Sequence, residues 1–108
     1  AVAPAKGAAV PVEINDQNRF VPETLTVAKG VNVTWRNVGT MLHNVVTDPA
    51  LAVNKANAKV PSGAKVFTSP FVNAGGTWAT TFDVAGEYIY FCQPHETLGM
   101  VAKVIVTE

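Results

Sequence analysis

Four side chains of this 108-residue sequence are of types that bind a soft transition metal: the single cysteine, both histidines and one of the two methionines. Cys92, His95 and Met100 fall within one stretch of nine residues near the C-terminus, whereas His43 lies far upstream. Mononuclear copper that transfers one electron favours two imidazoles and one thiolate in a trigonal set, with a weak thioether on the axis. Because these soft ligands suit both Cu(I) and Cu(II), we expect one geometry to serve both oxidation states.

Taken singly, each of these residues has a simpler structural explanation. A lone cysteine is more often a small buried hydrophobic residue than a ligand, and Met100 opens an alternating run that would pack inward in any case. The copper hypothesis therefore depends on the combination, because both histidines and the only cysteine of the chain enter one ordered set. One cysteine also excludes an intramolecular disulfide.

Alternation of polar and apolar residues with a period of two predicts an all-β protein. The predicted strands, which glycine-containing turns separate, cover residues 24–28, 31–36, 42–47, 65–71, 77–82, 87–92 and 100–106. Asp48-Pro49 resembles a helix N-cap followed by a proline at the first helical position, so one short helix is expected around residues 48–59. Seven to eight short strands at this spacing indicate an antiparallel sandwich.

The last two predicted strands form a hairpin that carries three of the four candidate ligands. Cys92 ends the first strand, His95 lies in the connecting loop, and Met100 begins the returning strand. In that strand Lys103 is expected to face water, which directs Met100 and every second residue after it toward the core. His43 comes from a separate predicted strand, so the folded sandwich has to bring the site together.

Composition limits the size and the partners of the protein. A chain with 48% hydrophobic and 15% charged residues fits one small globular domain, which we place at residues 13–108 behind a flexible lead-in of residues 1–12. Eight Lys and Arg residues balance eight Asp and Glu residues, so no nucleic-acid partner is expected. No apolar run approaches the roughly 20 residues of a membrane span, although the Ala- and Pro-rich lead-in is compatible with a lost or distal tether.

The residues around the candidate ligands resemble the cupredoxins, and within them the plastocyanins and plastocyanin-like bacterial blue copper proteins. The resemblance depends on Cys-x2-His-x4-Met after a Gly-x-Tyr-x-Tyr-Phe strand, on the upstream His-Asn pair, and on the run 33–37 that leads to it. It implies a cupredoxin-like Greek-key β-sandwich that holds one type 1 copper ion. The ligands that the resemblance implies are His43, Cys92, His95 and Met100.

The same resemblance implies roles for residues beside the ligands. Asn44 is expected to link the strand of the first histidine to the cysteine loop by hydrogen bonds. Pro94, which has no N–H, is expected to withhold a donor from the thiolate and so to raise the reduction potential. An exposed apolar surface around the edge of His95 is expected to contact redox partners, and its members are Met41, Leu42, Leu98 and Gly99.

These features predict a soluble, monomeric one-electron carrier rather than an enzyme. The expected partners are redox proteins, either a cytochrome or a membrane electron-transfer complex, which the carrier meets transiently. Since the resembling proteins work in oxidising compartments, export to a periplasm, a thylakoid lumen or a cell surface is implied. Residues 48–72 hold one acidic residue, so the acidic docking patch of plant plastocyanins is not expected; the lysines there are Lys55, Lys59 and Lys65.

Two other classes of function are compatible with a small β-sandwich. A copper storage or delivery protein would be expected to offer open sites rich in methionine or histidine, and two residues of each type argue against it. A metal-free adhesion module of the immunoglobulin type would require all four ligand positions to be accidental. The exchange rate of bound copper separates a storage protein from a carrier.

Overall fold

The computed structural model describes residues 9–108 and is a sandwich of two β-sheets. Its strands are β1 (Ala9–Ile14), β2 (Phe20–Val21), β3 (Thr24–Ala28), β4 (Asn32–Asn37), β5 (Thr77–Thr81), β6 (Gly86–Phe91) and β7 (Val101–Thr107). One sheet has the order β2-β1-β4-β5 and the other the order β3-β7-β6. The pairs β1–β4 and β3–β7 are parallel, and the remaining pairs are antiparallel. None of the helices in this part of the chain is long and apolar enough to cross a membrane.

The all-β sandwich predicted from the sequence is confirmed, but the expected antiparallel arrangement is wrong for the parallel pairs β1–β4 and β3–β7. Two of the predicted strands are also wrong. Residues 42–47 and 65–71 form only isolated bridges instead of continuous ladders. A hydroxyl side chain replaces a backbone acceptor there, because the Val45 N–H donates to Ser69 Oγ at 2.8 Å. Local bonds of this type compete with a regular ladder, which polar–apolar alternation alone does not show.

Strand β1 begins inside the segment that the sequence assigned to a flexible lead-in. Residues 1–8 lie outside the described part of the chain, but residues 9–12 belong instead to β1 and pair with β4. Val12 is fully buried. The partner β2 reaches only residues 13–14 of β1, so the strand has an open edge at Pro11. An edge is the position in a sheet where proline is tolerated, which is why its presence misled the sequence-based prediction.

Residues 48–59 do not form the one short helix that was expected. They contain two short 3₁₀ helices, Pro49–Leu51 and Lys55–Asn57. Asn54 starts the second of these, because its side-chain oxygen accepts the backbone N–H two positions later at 3.0 Å. An asparagine that bonds to its own local backbone in this way interrupts a continuous helix.

Aromatic packing in the core joins the two sheets and supports the hairpin of β6 and β7. The fully buried ring of Trp35 makes an edge contact with Tyr90 of β6, with centroids 5.4 Å apart, and a tilted contact with Trp78 of β5 at 5.5 Å. The inward face predicted for the last strand is confirmed. Its buried residues are Met100, Ala102, Val104 and Val106.

We predict that Val12→Ala lowers the free energy of unfolding of the metal-free protein by about 2 kcal/mol, because it removes buried methyl groups and leaves a cavity against β4. Urea denaturation followed by tryptophan fluorescence measures the change. Glu13→Ala, at the adjacent exposed position of β1, is the matched control and is expected to change it by less than about 0.5 kcal/mol. Equal effects of the two substitutions would contradict a structural role for β1.

Candidate metal centre

The loop between β6 and β7 carries one candidate ligand and is closed by two others. Cys92 directly follows β6 and precedes the 3₁₀ helix Gln93–Leu98, which contains His95. The Cys92 N–H donates to the Met100 carbonyl at 3.2 Å and so closes the base of the loop. The helix ends at Gly99, whose φ of 88° lies in the left-handed region that favours glycine. The hairpin thus fixes both ends of a short loop.

His43 reaches the loop from the long segment between β4 and β5. Its backbone exchanges two hydrogen bonds with Val72, at 3.4 Å from the His43 N–H and 2.7 Å to the His43 carbonyl. The buried side chain of Asn37, at the end of β4, donates to the carbonyls of Met41 at 2.6 Å and Val72 at 3.0 Å. These bonds hold the histidine segment against the end of the sheet, and the imidazole of His43 is fully buried.

One thiol and two imidazole nitrogens meet at this end of the sandwich. Cys92 Sγ lies 3.6 Å from His43 Nδ1 and 3.5 Å from His95 Nδ1. One ligand atom from each of the three residues lies within 4.8 Å of the others. Metal bonds of about 2.0 Å to nitrogen and 2.3 Å to sulfur, as in zinc sites, place the two atoms about 3.5–3.7 Å apart for tetrahedral to trigonal angles. The three donor atoms therefore fit one metal ion of this size.

The four candidate ligands differ in their access to solvent. Met100 is fully buried and packs in the same core cluster as Cys92. A buried thioether is the soft and weak axial donor that suits copper. His95 is only partly buried, whereas His43 is shielded completely. Among the four candidate ligands, His95 is therefore the one that reaches the surface.

Burial shifts the pKa values of the cysteine and histidine ligands in opposite directions. It raises the pKa of the Cys92 thiol, and the backbone N–H groups of Asn44 and His95 offset part of this effect. Burial lowers the pKa of His43, with His95 acting in the same direction and Asp16 against it. Metals bind neutral imidazole and thiolate. His43 is therefore held in its binding form, whereas the thiol has to lose its proton when a metal binds.

Asn44 joins the two segments that carry the histidines. Its side chain is buried. Its Oδ1 accepts the Gln93 N–H at 2.8 Å, and its Nδ2 donates to Gln93 Oε1 at 2.9 Å. This pair of bonds fixes the start of the ligand loop relative to the segment of His43.

The residues predicted to form a partner surface are not equally exposed. Leu42 and Leu98 are 50% and 63% exposed. Gly99 is also exposed, whereas Met41 is partly buried. Pro94 is exposed at the start of the 3₁₀ helix Gln93–Leu98.

Val53 is an exposed apolar residue that the sequence did not associate with the site. It is 79% exposed. It lines a shallow cavity together with Thr97 and Gly99 of the ligand loop. No motif connects residue 53 with this loop, so only the fold shows their proximity.

A carboxylate that the sequence did not single out holds the loop before His43. Asp16 accepts the N–H groups of Thr40 at 2.7 Å and Met41 at 3.3 Å, and the Thr40 hydroxyl at 2.9 Å. These bonds, first of all those from Thr40, hold the pKa of Asp16 below its usual value. The local sequence of Asp16 is typical of a turn and does not indicate its partners 24 and 25 positions later.

Glu96 is the second such carboxylate, and it is 5% exposed. Its Oε1 accepts the Val53 N–H at 2.8 Å, and its Oε2 accepts the Asn54 N–H and the Asn57 Nδ2, both at 3.0 Å. Burial alone would raise the pKa of Glu96, but these hydrogen bonds hold it below its usual value. A glutamate in a short loop is typical of a solvent-facing position, so no sequence signal indicated its burial.

Comparison with known sequences finds copper-binding relatives. The family model described as copper binding proteins, plastocyanin/azurin family, matches residues 7–107. Chloroplastic plastocyanin of Tetradesmus obliquus is 41% identical over 87 residues, which cover 81% of this chain and 57% of that protein. Plastocyanin of Sambucus nigra is 37% identical over 93 residues, which cover 81% of this chain and 86% of that protein. The chain thus spans little more than half of the first of these relatives.

Comparison with solved structures finds the same kind of fold. An oxidised mutant of amicyanin has a TM-score of 0.70 and 28% sequence identity, and the match covers 90% of this chain and 80% of that chain. A purple cupredoxin of Nitrosopumilus maritimus has a TM-score of 0.69 and 25% identity, with coverage of 91% and 99%. Sequence and fold comparisons therefore point to one group of proteins.

We predict that Asn44→Ala lowers the free energy of unfolding of the metal-free protein by about 1–3 kcal/mol, because it leaves the Gln93 N–H without its acceptor. Denaturant unfolding measures the loss. Gln93→Ala keeps that backbone bond and removes an exposed side chain, so we expect this control to cost no more than about 1 kcal/mol. A Gln93→Ala protein as unstable as the Asn44→Ala protein would contradict the stabilising role of the bond from the Gln93 N–H to Asn44.

Proposed function

The chain belongs to the plastocyanin/azurin family of copper-binding proteins, and we propose that it is a blue copper protein that carries single electrons between redox partners. The observation that carries this proposal is the meeting of Cys92 Sγ with the Nδ1 atoms of His43 and His95, at 3.6 Å and 3.5 Å. A hydrolytic metal site would be expected to keep an open position for water, whereas here a buried Met100 lies beside the thiol residue.

The four proposed copper ligands are His43, Cys92, His95 and Met100. When bound, the copper supplies the one-electron change between Cu(II) and Cu(I). The protein holds the donor atoms in place, because the hairpin closes the ligand loop and Asn44 ties that loop to the histidine segment. Donors that scarcely move when the charge changes keep the barrier to electron transfer low. Pro94, which has no N–H to offer the thiolate, is proposed to favour the reduced state.

We place the route of the electron at the edge of His95. Three of the four proposed ligands are fully buried, and His95 alone reaches the surface. Leu42 and Leu98 are exposed on the two segments that carry the histidines, and Met41 and Gly99 lie next to them in sequence. A contact that buries apolar surface and forms no fixed ion pairs suits a small, short-lived complex between redox proteins.

Copper storage is not favoured by the arrangement of this site. Storage or delivery requires ligands that a partner protein is able to reach and replace. Within residues 9–108 the structure holds one group of His, Cys and acidic side chains close enough to bind a metal, and two of its three members are fully buried. The same single group argues against a multicopper enzyme, which would need further histidines. Because several similar relatives are described as chloroplastic, we propose an oxidising compartment such as a thylakoid lumen or periplasm.

We predict that titration of the metal-free protein with Cu(II) produces an intense blue absorption band that saturates at one equivalent. The band arises from charge transfer between the thiolate and copper, and electron paramagnetic resonance should show the narrow hyperfine splitting of a type 1 site. Cys92→Ser is expected to abolish the blue band. Met100→Gln is the matched variant, and it should retain the bound copper with a lower reduction potential because the thioether is replaced by a harder oxygen donor. A blue Cys92→Ser protein would refute the ligand assignment.

We predict that Leu98→Asp slows electron self-exchange between reduced and oxidised protein about tenfold, because it places a charge in an apolar contact, where about 1.4 kcal/mol suffices for this factor. Nuclear magnetic resonance line broadening in mixtures of the two states measures the rate. Val66→Asp introduces the same charge at another exposed apolar position. Val66 lines a cavity with Thr81 and Asp83. Thr81 lies at the end of β5 that is farther from Asn37, the residue that holds the histidine segment. Equal slowing by both substitutions would count against the proposed contact surface.

A further inference from the structure

Metal binding does not account for the burial of the Glu96 carboxylate. Glu96 is the one buried acidic side chain among residues 9–108, with 5% of its surface exposed. None of the ion pairs in this part of the chain includes it. Neutral donors satisfy it instead, namely two backbone N–H groups and the amide of Asn57. A buried carboxylate outside any ion pair is screened less than an exposed one, although Glu96 also lines the shallow cavity of Val53 and Thr97.

Glu96 and Gln93 are two fixed points on either side of His95. Before the histidine, the Gln93 N–H donates to Asn44 at 2.8 Å. After it, both carboxylate oxygens of Glu96 are hydrogen-bonded to residues 53–57. The carbonyl of His95 itself accepts the Met100 N–H at 3.4 Å. The partly exposed ligand is therefore held by bonds on both sides.

The segment to which Glu96 binds is itself fixed to β6. Its continuation pairs with that strand, since Lys59 and Ile89 exchange two backbone hydrogen bonds of 3.0 Å. Ala58 is buried in a small cluster with Val46 and Phe91. Phe91 directly precedes the proposed cysteine ligand. Glu96 thus ties the ligand loop to a segment that rests on the strand leading to the metal centre.

We propose that Glu96 is a positioning residue of the copper site. Its hydrogen bonds hold His95 in the donor set, and its buried negative charge, one residue from that ligand, favours the more positive Cu(II) state over Cu(I). The inference depends on the proposed function of the centre as a copper site. The role belongs to the hydrogen-bonded carboxylate and involves no change in its protonation.

The test compares Glu96→Gln with Glu87→Gln in the copper-loaded protein. Each substitution removes one negative charge, but Glu87 is only partly buried on β6 and pairs with Lys59 and Lys103. The Gln amide at position 96 would turn an N–H₂ group toward donors that now face an oxygen. We expect Glu96→Gln to raise the reduction potential by at least twice the shift of Glu87→Gln. We also expect it alone to move the blue absorption band and the copper hyperfine splitting.

A second variant separates the effect of the Glu96 hydrogen bonds from the effect of its charge. It also keeps the proposal testable if the Glu96→Gln protein fails to fold. Asn57→Ala removes one hydrogen bond to the carboxylate and leaves its charge in place. It should move the absorption band in the same direction as Glu96→Gln, with a smaller change in potential. In the metal-free Glu96→Gln protein, the amide protons of Val53 and Asn54 should exchange with solvent at least tenfold faster than in the unmodified protein.

Two results would overturn this proposal alone, and a third would overturn it together with the proposed function. Faster amide exchange in Glu96→Gln, with a potential and spectrum that match Glu87→Gln, would leave Glu96 a purely structural role. An unchanged absorption band in both Glu96→Gln and Asn57→Ala would also exclude positioning. An unmodified protein that gives no blue band with one equivalent of Cu(II) would overturn the proposed function together with this inference. The failure of the inference alone is therefore distinguishable.

Discussion

The packing of one segment against one hairpin determines whether this protein has a metal centre. Cys92 and His43 are 49 positions apart in sequence, yet the sulfur and the imidazole nitrogen lie 3.6 Å from each other. No disulfide holds them, because the chain has a single cysteine. Their approach depends on the backbone pairing of His43 with Val72 and on the closure of the β6–β7 loop by Cys92 and Met100. The donor set therefore follows from the packing of the sandwich.

Buried polar side chains also hold the loops around the centre, by hydrogen bonds to the loop backbone. Asn37, Asn44 and Glu96 are all buried at this end of the sandwich, and each is hydrogen-bonded to backbone groups of a loop. Asp16 does the same for the loop before His43 from an exposed position. Loops leave backbone N–H and C=O groups without ladder partners, and burial of such groups is costly unless side chains bind them. The side chains that bind these backbone groups therefore also hold the loops around the centre in place.

Access to solvent differs among the four proposed ligands. His43, Cys92 and Met100 are fully buried. His95 is only partly buried, and Leu98 of the same 3₁₀ helix is exposed. In the proposed function, this open side is where an electron passes to a partner, and the three buried ligands hold the copper. In the role proposed for Glu96, its hydrogen bonds and its charge act on this same loop.

Much of this protein could be predicted from local sequence signals. The inward face of β7 follows from alternation around Lys103, and the spacing of Cys92, His95 and Met100 indicates a ligand-bearing hairpin. The hairpin and its inward face are confirmed, because strand periodicity and a short loop are properties of neighbouring residues. The assignment of residues 1–12 to a lead-in failed at residues 9–12, since the pairing partner that makes them a strand lies in β4.

What the sequence alone determined is the strand pattern, the type of donor atoms and their order along the chain. Tertiary structure decided which polar residues hold the loops by hydrogen bonds. Asp16 and Glu96 are ordinary turn and loop residues by their neighbours, and their hydrogen-bond partners lie 24 to 43 positions away. A carboxylate acquires such a role only when the fold brings unpaired backbone N–H groups to it, and no periodicity encodes that meeting. The same long-range packing buries three donor atoms and leaves His95 at the surface.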